Sequence, residues 1–176
     1  MILKEFQIKA KDKILKFLDE KDGRIVVQSP TGSGKTIILC NVVKEYLDTH
    51  DKTVFVWFTP GAGELEEQSK EKFERFVPEL TSKTLDEALR NGIEEKDIVF
   101  INWESVNKSD NKAIREGERK NLMERVRDGM MNEIRFILLI DEAHNSFTSK
   151  TQNLIADVFG KCQQIYVSAT IDRKHF

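Results

Sequence analysis

Ser29-Pro30-Thr31-Gly32-Ser33-Gly34-Lys35-Thr36 follows the β-branched run Ile25-Val26-Val27 and precedes a segment that carries Ile38, Val42, Val43, Tyr46 and Leu47 on one helical face. Strand, glycine-rich turn and helix occur in that order, and this order sets the reading of the chain. Gly32 and Gly34 let the backbone turn tightly and aim successive N–H groups inward. With the N-terminus of the following helix, those donors form a concave anion site. Thr31 and Ser33 complete the cradle, Lys35 reaches the β- and γ-phosphates of a nucleotide as a point charge, and the Thr36 hydroxyl ligates Mg²⁺. The bland alternative, an ordinary glycine-rich turn, does not explain why lysine and a hydroxyl stand where the turn enters a helix.

The alternation continues on both sides. Leu3, Phe6, Ala10, Ile14, Phe17 and Leu18 recur at helical spacing and predict an amphipathic helix that ends near Asp22-Gly23. Thr53 to Phe58 reads as a strand, and residues 61–77 as a helix with Leu65, Phe73, Phe76 and Val77 inward. A short helix near Thr84 to Arg90 leads to a strand at Ile98 to Ile101. Ser105 to Gly117 is polar and charged, and reads as a surface loop or insertion. Asn121 to Met131 is predicted helical, with Leu122, Val126 and Met130 at four-residue steps. Arg135 to Ile140 follows as a strand, Leu154, Ile155, Val158 and Phe159 mark a last helix, and Gln164 to Val167 a last strand. Strands alternating with helices predict an α/β fold, a three-layer sandwich with a mostly parallel central sheet and helices on both faces.

The apolar run Phe136-Ile137-Leu138-Leu139-Ile140 ends in Asp141-Glu142-Ala143-His144. A carboxylate at the end of such a strand lies on the C-terminal edge of the sheet, where open α/β folds bind ligands. Asp141 there holds Mg²⁺, directly or through its water shell, and Glu142 orients and deprotonates the attacking water. The tetrapeptide is expected by chance on the order of once per thousand chains of this length, so its position downstream of the phosphate loop carries weight. His144 alone reads as a structural histidine; within this box it can couple the phosphate site to the next segment of the chain. Ser168-Ala169-Thr170 comes directly after the last apolar strand, and its hydroxyls are placed to meet His144 or Asp141 and report the state of the γ-phosphate.

The bulk numbers bound the partners. The chain has 176 residues, 39% hydrophobic and 33% charged, which suits one domain with a packed core. With 28 basic and 30 acidic residues the net charge is −2, so no global basic field points to nucleic acid. Lys9, Lys11, Lys13 and Lys16, and Lys70, Lys72 and Arg75, read as solvated faces. Cys40 and Cys162 sit in apolar segments and read as buried free thiols in a reducing compartment. No apolar run approaches the ~18 residues of a membrane span, and the charged start of the chain lacks the pattern of a signal peptide, so the expected location is the cytoplasm, without a membrane partner.

The three motifs in this order resemble the first RecA-like domain of superfamily 2 helicases with a DEAH-type box, over Phe6 to Thr170. In that variety of phosphate loop a small residue suffices where Ser29 replaces the generic glycine. The resemblance implies that Phe6-Gln7 is a glutamine motif, Gln7 bonding the adenine edge; on the residues alone Gln7 is equally an exposed helix position. It also implies that Thr59-Pro60-Gly61 grips nucleic-acid phosphates through backbone N–H groups. Trp57 to Gly61, Ile101 to Lys108, the charged stretch through Glu118, and Asp141 to Asn145 are most similar to the restriction (Res) subunits of type III restriction–modification enzymes. Such subunits act on DNA with ATP and a methyltransferase partner and cut with a separate nuclease domain; an RNA substrate stays open. Superfamily 2 motors complete the ATP site with arginines of a second RecA-like domain, for which this chain has no room. It is therefore expected to be one motor domain, residues 1–176, that binds ATP and Mg²⁺ but hydrolyses slowly by itself. The other readings are a repair or RNA helicase motor, and a nucleotide-binding module with no motor role; the acidic box and Ser168 to Thr170 argue against the last.

Overall fold

A computed structural model describes residues 2–30, 34–59, 65–102, 112–141 and 149–169, with 65–66, 112–120 and 150–151 described by their backbone alone. In chain order the elements are α1 (Glu5–Glu20), β1 (Arg24–Gln28), α2 (Lys35–Thr49), β2 (Thr53–Thr59), α3 (Leu65–Phe76), β3 (Ser82–Thr84), α4 (Leu85–Asn91), β4 (Ile98–Asn102), α5 (Lys112–Met131), β5 (Arg135–Asp141), α6 (Ser149–Phe159) and β6 (Gln163–Ser168). Among the described residues the strands form one six-stranded sheet in the order β1-β6-β5-β2-β4-β3, and every neighbouring pair is parallel.

The period-2 alternation of side chains divides the core into two layers. Phe55, Trp57, Ile98, Phe100, Ile137, Leu139, Ile165 and Val167 face α1, α2 and α3. Val54, Val56, Phe58, Val99, Ile101, Phe136, Leu138, Ile140 and Tyr166 face α4, α5 and α6. Both faces are covered, which is why β2 and β4 are buried along their whole length and read as unbroken apolar runs. Each buried Ile, Leu or Phe contributes roughly 1.5–3 kcal/mol against leaving it in water.

The fold class agrees with the sequence, and five local expectations do not. β3 is an extra strand of three polar residues, too short to carry an apolar pattern. The stretch read as a loop through Gly117 is already helical from Lys112. Met130 is 42% exposed rather than inward. Steps of four residues drift off a 3.6-residue repeat, and the contact position passes to Gly129, where a Cβ would come within 2.7 Å of the Phe136 ring. Phe6 is half exposed, because the buried face of α1 runs through Gln7, Ile14, Phe17 and Leu18. Cys40 is buried as expected, whereas Cys162 is only partly so; both are free thiols. The lysine groups are partly neutralised locally: Lys11 bonds Glu45 at 2.8 Å, Lys9 pairs with Glu5 and Lys70 with Glu74.

Candidate nucleotide site

The parallel register brings five strand ends to one edge. Gln28 pairs with Ser168, Asp141 with Val167, and Thr59 with Asn102, while the Phe58–Ile140 pair sets Thr59 beside Asp141. The Ser29 N–H donates to the Ser168 carbonyl at 2.9 Å, which extends the β1–β6 ladder to the start of the phosphate loop. The C-terminal edge thus gathers Ser29, Ser168, Asp141 and Thr59 from four segments far apart in sequence.

Gly34 caps α2 with φ +80° and ψ 38°, the left-handed region that favours glycine. Lys35 and Thr36 are the first two residues of α2, so the N-terminal end of this helix, the positive end of its dipole, faces the same edge. Lys35 Nζ lies 4.0 Å from Asp141 Oδ1, and both side chains are largely buried. This contact joins the phosphate-loop helix to the acidic strand.

Burial raises the Asp141 carboxyl above the ordinary carboxylate range; the positive charges of Lys35 and Lys72 and a hydrogen-bonding contribution from the Trp57 side chain pull it back in part. Asp141 Oδ1 is buried without a hydrogen-bond partner among the described residues. A buried carboxylate oxygen that receives no proton donor, beside a cation and a helix N-terminus, suits a Mg²⁺ ion or its water. Lys72 and Trp57 were not foreseen. Lys72 belongs to a charged helix face and Trp57 to a strand core, and neither position stands out in the sequence.

Gln7 is 7% exposed, which removes the reading of an exposed helix residue. Its Oε1 accepts the Lys4 N–H at 2.9 Å, closing a capping box at the start of α1. A Cβ built on Gly34 would come within 2.5 Å of Gln7 Nε2. The Gln7 amide therefore packs directly on the last residue of the phosphate loop.

Thr59 is 2% exposed and its Oγ1 has no hydrogen-bond partner among the described residues. Its side chain is thus turned into the protein. Ser168 is fully buried, next to Gln28 and one step from the Asp141 register. Thr31, Gly32, Ser33, Pro60, Gly61, Glu142, His144 and Thr170 lie outside the described residues.

A parallel sheet with a phosphate-loop helix and an acidic strand end meeting at its C-terminal edge defines the first RecA-like domain of a superfamily 2 motor. The chain belongs to the type III restriction enzyme, res subunit family, whose sequence profile matches residues 1–173. No characterised protein sequence matches it. Among solved structures, the SWI2/SNF2 ATPase core of Sulfolobus solfataricus in complex with double-stranded DNA is similar over 99% of this chain and 34% of its own, with a TM-score of 0.67 and 16% identity. The type ISP restriction–modification enzyme LlaGI, solved as a nuclease-deletion mutant with a DNA substrate mimic, is similar over 97% of this chain and 18% of its own, TM-score 0.63, 17% identity. The UvsW helicase of bacteriophage T4 is similar over 99% of this chain and 55% of its own, TM-score 0.63, 15% identity. The chain thus spans between about a fifth and a half of these proteins. Among the described residues no helix is long and apolar enough to cross a membrane.

Proposed function

We propose that residues 1–176 are the ATP-binding motor domain of a type III restriction Res subunit, which couples ATP hydrolysis to movement along DNA and cleavage. The observation that carries this reading is the 4.0 Å approach of Lys35 to Asp141 at the C-terminal sheet edge. Gly34, Lys35 and Thr36, with Thr31, Gly32 and Ser33, hold the phosphates. Thr36 and Asp141 would hold Mg²⁺, which when bound would neutralise charge on the phosphates. Glu142 acts as the base toward the attacking water, Gln7 meets the adenine edge, and His144, Ser168 and Thr170 couple the phosphate state to a partner domain. The partners are DNA, at Pro60 and Gly61 beside Thr59, a second RecA-like domain of the parent protein, and a methyltransferase subunit. UvsW and LlaGI match equally well at TM-score 0.63, so the fold does not rank a helicase against a restriction motor; the family membership favours the latter.

The test is ATP affinity and turnover in the 176-residue chain and in its full-length parent, with and without Mg²⁺ and double-stranded DNA. The chain alone is expected to bind ATP in a Mg²⁺-dependent way and to hydrolyse it at least ~10³-fold more slowly than the DNA-stimulated parent, the factor an arginine from a second domain supplies. Robust DNA-stimulated turnover by the chain alone would overturn the division of labour, and absence of Mg²⁺-dependent ATP binding would overturn the site itself.

A further inference from the structure

Helix α1 runs across the molecule from the nucleotide edge to the opposite edge of the sheet, and it is held by polar side chains at both ends. At the upper end Gln7 packs on Gly34. At the lower end Gln163 Nε2 donates to the carbonyls of Phe17 at 3.5 Å and Leu18 at 3.0 Å, and to that of Lys21. Arg135 adds a second donor to the Leu18 carbonyl at 3.1 Å, while its other nitrogen donates to the Tyr46 hydroxyl at 2.7 Å on α2. The Phe17 carbonyl already accepts the Lys21 N–H at 3.0 Å, whereas the Leu18 carbonyl lies among the last helix carbonyls that lack a partner within the helix, so these bonds fix the final turn of α1 in place.

Two features make this more than ordinary capping. Gln163 leaves its own Oε1 buried without a hydrogen-bond partner among the described residues. The side chain is oriented by what its nitrogen holds, and its acceptor is left unsatisfied to do so. The two clamp residues also begin the two strands whose far ends form the site: Arg135 opens β5, which closes with Asp141, and Gln163 opens β6, which closes with Ser168. The helix and the two strands are therefore tied at their base, and α1, a rod of ~24 Å at 1.5 Å per residue, stands between that tie and Gly34. Ile14, Phe17 and Leu18 bury the C-terminal half of α1 in close packing, and the directional hydrogen bonds to its last turn add a constraint on its position along the axis.

We propose that Gln163 and Arg135 are positioning residues for nucleotide binding: by fixing the last turn of α1 they set the height of Gln7 against Gly34. This rests on the reading of Gln7 and Gly34 as part of the nucleotide site. The experiment measures ATP and GTP dissociation constants of the 176-residue chain with Mg²⁺, for Gln163→Met, Arg135→Gln, Gln7→Ala and the double variants with Gln7→Ala, each alongside its melting temperature. Gln163→Met and Arg135→Gln are each expected to weaken ATP about fivefold and to narrow the ATP-over-GTP ratio. In the Gln7→Ala background the same substitutions are expected to change ATP affinity by less than twofold, because the route through Gln7 is already cut. A clamp that is only structural lowers the melting temperature and leaves the affinities and their ratio where they were; that result overturns the proposal. Effects that multiply with Gln7→Ala overturn it as well. If Gln7→Ala itself leaves ATP affinity and base preference unchanged, the fault lies with Gln7 as a nucleotide contact. If Gln163→Met fails to fold, Arg135→Gln, at a more exposed position, carries the same test.

Discussion

The two edges of the sheet are built on opposite terms. At the lower edge, where α1, α4 and α5 end, side-chain donors are committed to carbonyls in or just after the last helix turns. Gln163 and Arg135 hold the last turn of α1, Arg125 donates twice to the Leu89 carbonyl at 3.3 and 2.9 Å, and Lys52 reaches the Asn132 carbonyl at 3.4 Å. At the upper edge Asp141 Oδ1 and Thr59 Oγ1 are buried with no hydrogen-bond partner among the described residues. A buried polar atom left unsatisfied costs about 1–3 kcal/mol. The contrast follows from strand direction: in a parallel sheet the helix N-termini, with their spare N–H groups, gather on the upper side and the C-termini on the lower. The lower edge spends its side-chain donors on the protein's own carbonyls, with Gln163 Oε1 left over, whereas the upper edge keeps a buried carboxylate oxygen and a hydroxyl that a ligand can complete.

Substitutions at the two edges should therefore separate function from stability. The largest effect is expected at Lys35. Lys35→Ala removes the cation beside Asp141, and ATP turnover of the full-length parent should fall about 10²–10³-fold, the range for loss of one electrostatic stabiliser. The melting temperature without nucleotide should fall as well, because Asp141 loses the first of the charges that offset its burial, but the loss of turnover should be the larger effect. Glu142→Gln should lose turnover to a similar degree and keep ATP binding; intact hydrolysis in this variant would end its assignment as the base. Next comes Gly129→Ala, at the lower end of α5. In an open helix this change gains up to ~1 kcal/mol. Here the new Cβ would meet Phe136 Cζ at 2.7 Å and Cε2 at 3.0 Å, so denaturant titration should show a loss of about 1–3 kcal/mol with ATP affinity unchanged in the folded fraction. Gly34→Ala is the upper-edge counterpart. Left-handed backbone costs an L-residue roughly 1–2 kcal/mol, and the clash is with the flexible end of Gln7, which can move. ATP affinity should drop more steeply than stability. A larger stability loss than that of Gly129→Ala would mean that the upper edge is as tightly closed as the lower.

How far the sequence reveals each edge depends on the same asymmetry. The upper edge is written in contiguous motifs, because a phosphate cradle needs consecutive N–H groups and a lysine where the helix begins; Gly34 caps α2 and Lys35 comes within 4.0 Å of Asp141 across that edge. The apolar strands are equally plain, since burial on both faces leaves no polar interruption between Val54 and Phe58 or between Phe136 and Ile140. The lower edge is not legible. Gln163 and Arg135 are 28 positions apart in sequence, their bonds run to backbone carbonyls of residues 17, 18 and 21, and a carbonyl leaves no mark in a sequence. β3 escapes because Ser82-Lys83-Thr84 pairs on one side only, and Lys112 because the first turns of α5 carry no apolar stripe. Lys72 and Trp57 reach Asp141 by charge and by a hydrogen-bonding contribution, across a distance in sequence that leaves no local pattern.

The smallest expected effect has the opposite sign. Burial holds the Asp141 carboxyl above its ordinary range, with Lys35, Lys72 and Trp57 offsetting part of the shift. A carboxyl that binds its proton more tightly in the folded state than in the unfolded one adds stability below the unfolded pKa of ~3.9. That contribution is lost as pH rises through the folded value, so at neutral pH the charged form is carried at a disadvantage. Asp141→Asn removes the charge with little change of shape. In the absence of nucleotide and Mg²⁺ the variant should melt slightly higher than the parent chain at pH 7, and the gap should close as pH is lowered towards ~4. With Mg²⁺ and ATP the order should reverse, because ligand stabilisation scales with affinity and the variant has lost a cation-binding oxygen. A variant that melts lower at pH 7 without ligand would show that the Lys35–Asp141 contact already outweighs the burial of the carboxylate, and the upper edge would then be closed by its own charges much as the lower edge is closed by hydrogen bonds.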